Sequence, residues 1–246
     1  MIQEKRQESG CIVPCRLLQM LSVFSVLAIV LAPMACRAGT IVHFDTTVAD
    51  FDVELFDSTM PITVTNFLSY VNAGSYSSSL IHRSTTYNPG SIQIVQGGGY
   101  QLLGNTLLSL AANPPIVLES GAASNDRGTI AMARGAATDS ATSQYFFNIQ
   151  SNPALDGNYA VFGRVLGADG LAALDAIGAV PVYDASPQFG AAFAELPLVA
   201  PSLDAATLVL VNDVTVLPTS AVPEPSTYAM IGAGALGLLA LRRRQA

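Results

Sequence analysis

Two residues of one short apolar stretch have the chemistry to hold a ligand that carries both a ring and an amide. Gln144 and Phe146 stand two positions apart around a strand candidate at residues 145–149. Because strand side chains alternate between faces, Gln144 and Phe146 share one face. Tyr145 and Phe147 share the other. An amide side chain donates and accepts hydrogen bonds, so a polar anchor beside an aromatic wall indicates a groove for an apolar ring and a backbone amide.

Cationic side chains are scarce in this part of the chain, whose formal net charge over all 246 residues is −7. Between residues 39 and 241 there is no Lys, and the arginines are Arg83, Arg127, Arg134 and Arg164. Nucleic-acid binding needs clustered cations, so the composition argues against a nucleic-acid partner. With so few cations, each of these arginines is a candidate for a specific role.

Most segments around these residues read as β-strands, from alternating apolar positions or short apolar runs. The predicted strands cover residues 40–45, 51–56, 80–83, 92–96, 129–133, 145–149, 159–165 and 207–216. Pro61 predicts the first turn of a helix that ends at Gly74, and residues 171–177 predict a short apolar helix. Residues 103–127 read as a loop, and residues 180–202, rich in Ala and Pro, match no pattern.

Other residues that could do chemistry have simpler explanations. The glycines at 97–99 predict a close-packed turn, because no strand-to-helix context and no following Lys supports a phosphate cradle. His43 and His82, the two histidines of the chain, lack metal-ligand spacing, so we expect no metal site and interpret both as packing residues. A Ser-His-Asp hydrolase stays formally open but has no nucleophile-elbow context.

Six short motifs follow one another along residues 40–180. They are F-D-V-E-L-F (51–56), N-F-L-S-Y-V (66–71), I-H-R (81–83), V-Q-G-G-G (95–99), the stretch from R-G-T-I-A-M-A-R-G to S-Q-Y-F-F-N (127–148) and L-D-G-N-Y-A-V-F-G-R-V (155–165). Each motif alone is weak, but their order resembles the cyclophilins, the peptidyl-prolyl cis-trans isomerases, and most of all their bacterial branch. The resemblance implies a mainly β fold, a closed antiparallel eight-stranded β-barrel with two capping helices.

The reaction of that family needs no nucleophile, metal or cofactor. Rotation about a peptide bond meets a barrier of about 18–20 kcal/mol, and X–Pro bonds exchange in tens to hundreds of seconds. A fixed donor aimed at the prolyl nitrogen stabilises the transition state, and a rigid, permanently charged guanidinium suits this role. The resemblance assigns the donor to Arg83 and its orientation to Gln96. The alternatives are a surface ion pair for Arg83 and a polar strand-edge residue for Gln96.

The resemblance also assigns the substrate contacts. Ala133 and Gln144 match residues that bind the substrate backbone. Phe146 and Leu155 match the proline-ring pocket, with Ile94 as its floor.

The chain departs from the family at several pocket positions. Gln93 falls where the family has a pocket phenylalanine, although Ile92 could serve instead. Ala154 stands where many members have Trp or Phe, which weakens the expected binding of inhibitors such as cyclosporin. Tyr159 replaces a frequent histidine and keeps an aromatic wall, and Arg134 replaces a frequent asparagine that contacts the substrate backbone.

These departures leave two rivals to an isomerase. One is a catalytically weak proline-binding or interaction module of the cell envelope or matrix. The other is a structural surface protein that has kept only the barrel. Retention of Arg83, Gln96 and Gln144 favours the isomerase, acting on X–Pro bonds of exported proteins.

The N-terminal segment, residues 1–38, reads as a secretory signal. Three cations precede an apolar run at residues 17–35, and small residues allow cleavage after Ala38. An uncleaved anchor is the alternative. The cysteines Cys11, Cys15 and Cys36 all lie in this segment, so the domain at residues 39–218 has neither a disulfide nor a thiol nucleophile.

The C-terminal segment, residues 219–246, changes character. A P-E-P motif at residues 223–225 precedes a short apolar span at 228–241 and three terminal arginines. This combination resembles the PEP-CTERM sorting signal, which implies recognition by exosortase-type machinery. Both ends therefore predict an exported protein of the periplasm, cell envelope or exterior. We expect contact with the membrane through the terminal segments, including at least a transient inner-membrane anchor at the C-terminus.

Overall fold

The computed structural model describes residues 39–85, 91–121 and 123–218 of the chain. The predicted signal segment and the sorting segment, with its expected membrane anchor, lie outside the described residues. Within the described ranges, no helix is long and apolar enough to cross a membrane.

The described residues form a mainly β fold, as predicted. The strands are β1 (Ile41–Thr46), β2 (Phe51–Leu55), β3 (Ser79–Leu80), β4 (Arg83–Ser84), β5 (Ile94–Gly97), β6 (Tyr100–Leu103), β7 (Thr106–Ser109), β8 (Thr129–Met132), β9 (Tyr145–Asn148), β10 (Val161–Val165), β11 (Val182–Tyr183), β12 (Leu196–Pro197) and β13 (Leu210–Val216). Eleven of them pair antiparallel in the order β4-β5-β9-β8-β10-β2-β1-β13-β3-β6-β7, and β11 pairs with β12.

Two longer helices confirm the sequence prediction. Helix α1 (Pro61–Asn72) begins at its proline, and Gly74 follows its end in the left-handed region at φ 65°. The Glu119 carboxylate accepts hydrogen bonds from the first-turn amides of Ile62 and Thr63, which satisfies two donors that a helix start leaves unpaired. Helix α2 (Gly167–Gly178) is longer than the predicted apolar segment, and a short α3 (Ser186–Phe189) follows.

The main core is aromatic and lies between the sheet and α1. Phe44 of β1 stacks on Phe51 of β2 with ring centroids 5.3 Å apart, and Phe67 of α1 packs edge-on against Tyr145 at 5.9 Å. Strand β1 alternates half-buried and buried positions along its length. Strand β1 also pairs antiparallel with β2, which confirms the predicted hairpin of residues 40–56, with one face in the core.

One strand prediction and one loop prediction need correction. The predicted strand at residues 80–83 is broken into β3 and β4, because Ile81 N donates to Val209 O and His82 N donates to Gln96 O, so neighbouring residues pair on different sides. The predicted loop at residues 103–127 contains β7, paired with β6 across Gly104, which has φ 61°. A glycine-led two-residue connection is a hairpin signal that the alternation analysis missed.

The predicted closed eight-stranded barrel differs from the observed strand order. The described strands give an eleven-stranded sheet whose outer strands are β4 and β7. The extra β6–β7 hairpin and the broken strand both raise the strand number. Closure of the sheet into a barrel stays a prediction.

Candidate active site

One row of paired residues crosses the sheet and builds the site. Arg83 of β4 pairs with Gln96 of β5, and Gln96 pairs with Phe146 of β9. The row continues to Ala131 of β8 and Val161 of β10. Residues directly opposite each other in neighbouring strands project from the same face. The register therefore places a cation, an amide and an apolar surface side by side.

The apolar part of this row is a small core separate from the main one. Phe146 is 2% exposed and packs with Ile94 and Leu155. The Tyr159 ring meets Phe146 edge-on, with centroids 5.4 Å apart. Tyr145 and Phe147 belong to the main core instead. The predicted alternation along β9 is confirmed.

A groove of about 440 Å³ opens over this row. Its lining includes every predicted site residue except Gln144. The lining residues are Arg83, Thr85, Ser91, Ile92, Ile94, Gln96, Ala133, Arg134, Phe146, Leu155, Tyr159 and Glu195. The volume suits a small ring with a flanking peptide.

Gln144 lines an adjoining cavity of about 360 Å³, together with Arg83 and Gln96, which line both cavities. The Gln96 amide nitrogen donates to the Gln144 amide oxygen at 2.8 Å. Gln144 also accepts at its backbone carbonyl from Ala133 N at 2.9 Å. The two glutamines thus link the cavities.

The glycine turn predicted at residues 97–99 packs against Ser143 and Gln144. A Cβ on Gly99 would lie 2.8 Å from the Gln144 amide nitrogen, and a Cβ on Gly98 would lie 2.7 Å from Ser143 O. Gly98 has φ 76°, which favours glycine. The turn is close-packed, as predicted, and leaves room for the Gln144 side chain.

Arg83 makes an ion pair, as the alternative raised for it allows, but the sequence did not indicate its partner. Its Nε donates to Glu195 Oε2 at 2.6 Å, and the side chains are 43% and 24% exposed. Within the described residues, the Gln96 side chain bonds to Gln144 rather than to Arg83. The available signal for Glu195 was weak: it is one of two acidic residues, with Asp184, in a stretch that matched no pattern.

Of the two residues considered for the pocket phenylalanine position, Ile92 lines the groove and Gln93 does not. Ile92 lines the groove and is 39% exposed. Gln93 is held through its backbone, because Asn152 Oδ1 accepts from Gln93 N and Asn152 Nδ2 donates to Gln93 O, each at 3.0 Å. The alternative raised for Ile92 therefore matches the lining of the groove, while Gln93 belongs to the frame beneath it.

Arg134 and Tyr159 form one wall of the groove. The guanidinium carbon of Arg134 lies 5.2 Å from the centre of the Tyr159 ring, a cation–π distance. Its Nε donates to Asn158 O at 2.7 Å. The Arg134 guanidinium therefore lies against Tyr159 and Asn158, on the same wall of the groove.

His82 packs in the interior as predicted, whereas His43 makes a polar contact with Asp52. His82 is 2% exposed and meets Tyr100 edge-on at 5.0 Å. Burial lowers the pKa of His82 from 6.5 to about 4, against a hydrogen bond with the Leu80 backbone and with a smaller lowering by Arg83. His43 Nδ1 lies 2.7 Å from Asp52 Oδ1 on the partly exposed side of β1. Across the described ranges, no three His, Cys, Asp or Glu side chains converge as metal ligands.

Comparison with known proteins gives two matches to family models. Residues 41–190 match the cyclophilin-type peptidyl-prolyl cis-trans isomerase domain. Residues 221–244 match the PEP-CTERM protein-sorting motif, which suggests export and sorting. Glu195 lies between these two ranges.

Related sequences and structures agree with the first match. The chain is 36% identical over 174 residues to peptidyl-prolyl cis-trans isomerase A of Dickeya dadantii, covering 68% of this chain and 86% of that protein. It is 37% identical over 150 residues to a peptidyl-prolyl cis-trans isomerase of Acinetobacter baylyi, covering 58% and 74%. A crystal structure of a Cryptosporidium parvum cyclophilin-type isomerase shares the fold, with TM-score 0.52, 22% identity and coverage of 74% and 99%.

Proposed function

Because the chain belongs to the cyclophilin-type peptidyl-prolyl cis-trans isomerases, we propose that its X–Pro isomerisation takes place in the groove between Arg83 and Phe146. The observation that carries this proposal is the strand register, which sets Arg83, Gln96 and Phe146 in one row. A charged donor and a ring-sized apolar pocket are thereby held on one rigid sheet face.

The chemistry follows from what the bond resists. Amide resonance makes the bond planar, and twisting it makes the prolyl nitrogen pyramidal, so its lone pair can accept a hydrogen bond. Phe146, Leu155 and Ile94, each less than 10% exposed, bind the proline ring. The Arg83 guanidinium donates to the twisted nitrogen. This interaction strengthens only in the transition state, so it raises kcat.

Polar groups beside the pocket hold the flanking peptide. Ala133 in the groove and Gln144 in the adjoining cavity bind the substrate backbone. Arg134 and Tyr159 form a further wall of the groove. No covalent bond is made or broken, so the reaction asks for no cofactor.

We further infer that the sheet closes into an eight-stranded barrel through residues 79–84. Ile81 N donates to Val209 O beside β13, and His82 N donates to Gln96 O in β5, both at 3.0 Å. A segment bonded on both sides would hold Arg83 against Gln96. Hydrogen exchange checks this: both amides should exchange as slowly as those of β5, and fast exchange at either would contradict closure.

The test of the site compares wild type with R83A on an Ala-Pro peptide. The full chain, kept soluble in mild detergent, is assayed for cis-to-trans exchange. We expect R83A to lower kcat/KM by at least about 10²-fold, equivalent to about 2.7 kcal/mol of transition-state stabilisation. R164A is the control, since Arg164 is 60% exposed and pairs with Glu54 rather than lining the groove.

The outcomes separate the readings. Equal activity of wild type and R83A would refute the role of Arg83 but keep the isomerase. A folded wild type that does no better than buffer would leave a proline-binding module, which peptide titration would then detect.

We also propose that the substrates are exported polypeptides and that the C-terminus attaches at least transiently to the inner membrane. The P-E-P motif at residues 223–225 and the apolar run at 228–241 support this. Replacing Pro223, Glu224 and Pro225 with Ala in a host with exosortase-type machinery should retain the chain in the membrane fraction. An unchanged distribution between membrane and exterior would contradict sorting by this motif.

A further inference from the structure

We propose that Glu195 is the positioning residue of this active site and that its carboxylate sets the orientation of the Arg83 guanidinium. The inference rests on the proposed catalytic role of Arg83. Glu195 lies beyond residues 41–190, the range of the family-model match, and none of the sequence motifs includes it.

The contact leaves the reacting end of Arg83 available. The bond from Arg83 Nε to Glu195 Oε2 measures 2.6 Å. A guanidinium carries five N–H donors in one rigid plane. A bond at Nε fixes this plane and leaves the N–H groups of both terminal nitrogens for a substrate.

The carboxylate is anchored by its own backbone. Glu195 O accepts from Ser84 N at 2.8 Å, one residue after Arg83. Leu196, the next residue, is fully buried and pairs with Tyr183. Phe193, on the other side, is 2% exposed. The backbone of Glu195 is therefore held on both sides, and its side chain is 24% exposed, in contrast to a fully exposed surface ion pair.

The Gln96 side chain makes no hydrogen bond with Arg83 among the described residues, and its amide nitrogen donates to Gln144 at 2.8 Å. The described side-chain contact that orients the guanidinium is the one with Glu195. The groove remains open with the ion pair formed, because Arg83 and Glu195 both line its 440 Å³. The ion pair therefore orients Arg83 without filling the groove.

The test is a double-mutant cycle on the full chain with the same Ala-Pro assay. We expect E195A to lower kcat about tenfold with little change in KM, as for a misaligned catalytic group. E195Q keeps an oxygen that accepts from Nε, so it should stay within about threefold of wild type. In the R83A background, E195A should cause no further loss, because a residue that acts through Arg83 has nothing left to position.

E54A is the matched control. Glu54 is 25% exposed and pairs with Arg164 through Oε2 at 2.7 Å, and it does not line the groove. This variant removes an equally exposed carboxylate from an arginine pair. It should leave kcat within about twofold of wild type. Thermal unfolding of every variant separates misalignment from loss of fold.

Several results would overturn the role of Glu195. If E195A is as active as wild type while R83A is inactive, Glu195 does not position Arg83. If E195A is more active than wild type, Glu195 restrains Arg83 instead of positioning it, and the proposal is also refuted. An equal further loss in the R83A background shows a general structural effect. A wild type without isomerase activity overturns the proposed function itself, and this role with it.

Discussion

The buried His82 should make the protein sensitive to acid. Its ring is packed beneath Tyr100 and Phe193, and its Nδ1 has no hydrogen-bond partner among the described residues. Burial lowers the pKa from 6.5 to about 4. Between these values the unfolded chain binds a proton that the folded chain refuses, so stability falls as the pH falls through this window.

The magnitude follows from the two pKa values. Each pH unit of difference is equivalent to about 1.4 kcal/mol, so the complete loss below pH 4 is about 3 kcal/mol. At pH 4.5 most of it, about 2.5 kcal/mol, is already lost. Such a loss is a large share of the stability of a single domain.

Urea unfolding at pH 7 and pH 4.5 measures this loss, with wild type compared with H82F. Phe keeps the aromatic packing but cannot bind a proton. Other groups, such as Asp156 and Asp184, whose carboxyl pKa values are lowered by hydrogen bonds, titrate equally in both proteins and cancel. The difference between the pH values should be about 2.5 kcal/mol smaller in H82F. Parallel loss of stability in the two proteins would refute the reasoning.

Two further substitutions test the frame of the groove. G99A should displace the Gln144 side chain, because the new Cβ would lie 2.8 Å from its amide nitrogen; we expect KM to rise about three- to tenfold with little change in thermal unfolding, and an unchanged KM would argue against substrate binding by Gln144. N152A removes the two hydrogen bonds that the Asn152 side chain makes with the Gln93 backbone and leaves the one from Ile149 N to Gln93 O. It should cost about 2 kcal/mol in urea unfolding, and an unchanged midpoint would show that Gln93 is held by other contacts.

The site was predictable where it depends on local periodicity and motif. Alternation along residues 145–149 put Phe146 on the opposite face from Tyr145 and Phe147, and the cores have that arrangement. The I-H-R and V-Q-G-G-G motifs pointed to Arg83 and Gln96, which are direct partners across two strands. Their roles in catalysis remain predictions until the variants are measured.

The partners of these side chains were not predictable. The sequence resemblance assigned the orientation of Arg83 to Gln96, but Gln96 bonds to Gln144, and Arg83 bonds to Glu195, 112 residues away. Residues 180–202 carry no periodic pattern because their elements are two to four residues long. Such short elements are stable only when packed against the rest of the domain.

The sequence by itself determined most of the longer strands, the two longer helices, the apolar face of the strand at residues 145–149 and the family that the motifs resemble. These properties depend on side-chain spacing within a few residues, so they can be read locally. The tertiary structure decided that Glu195 meets Arg83, that β3 and β4 separate, and that the two glutamines join. Contacts of this kind depend on how distant segments are brought together, and their cost and gain are shared by the whole fold.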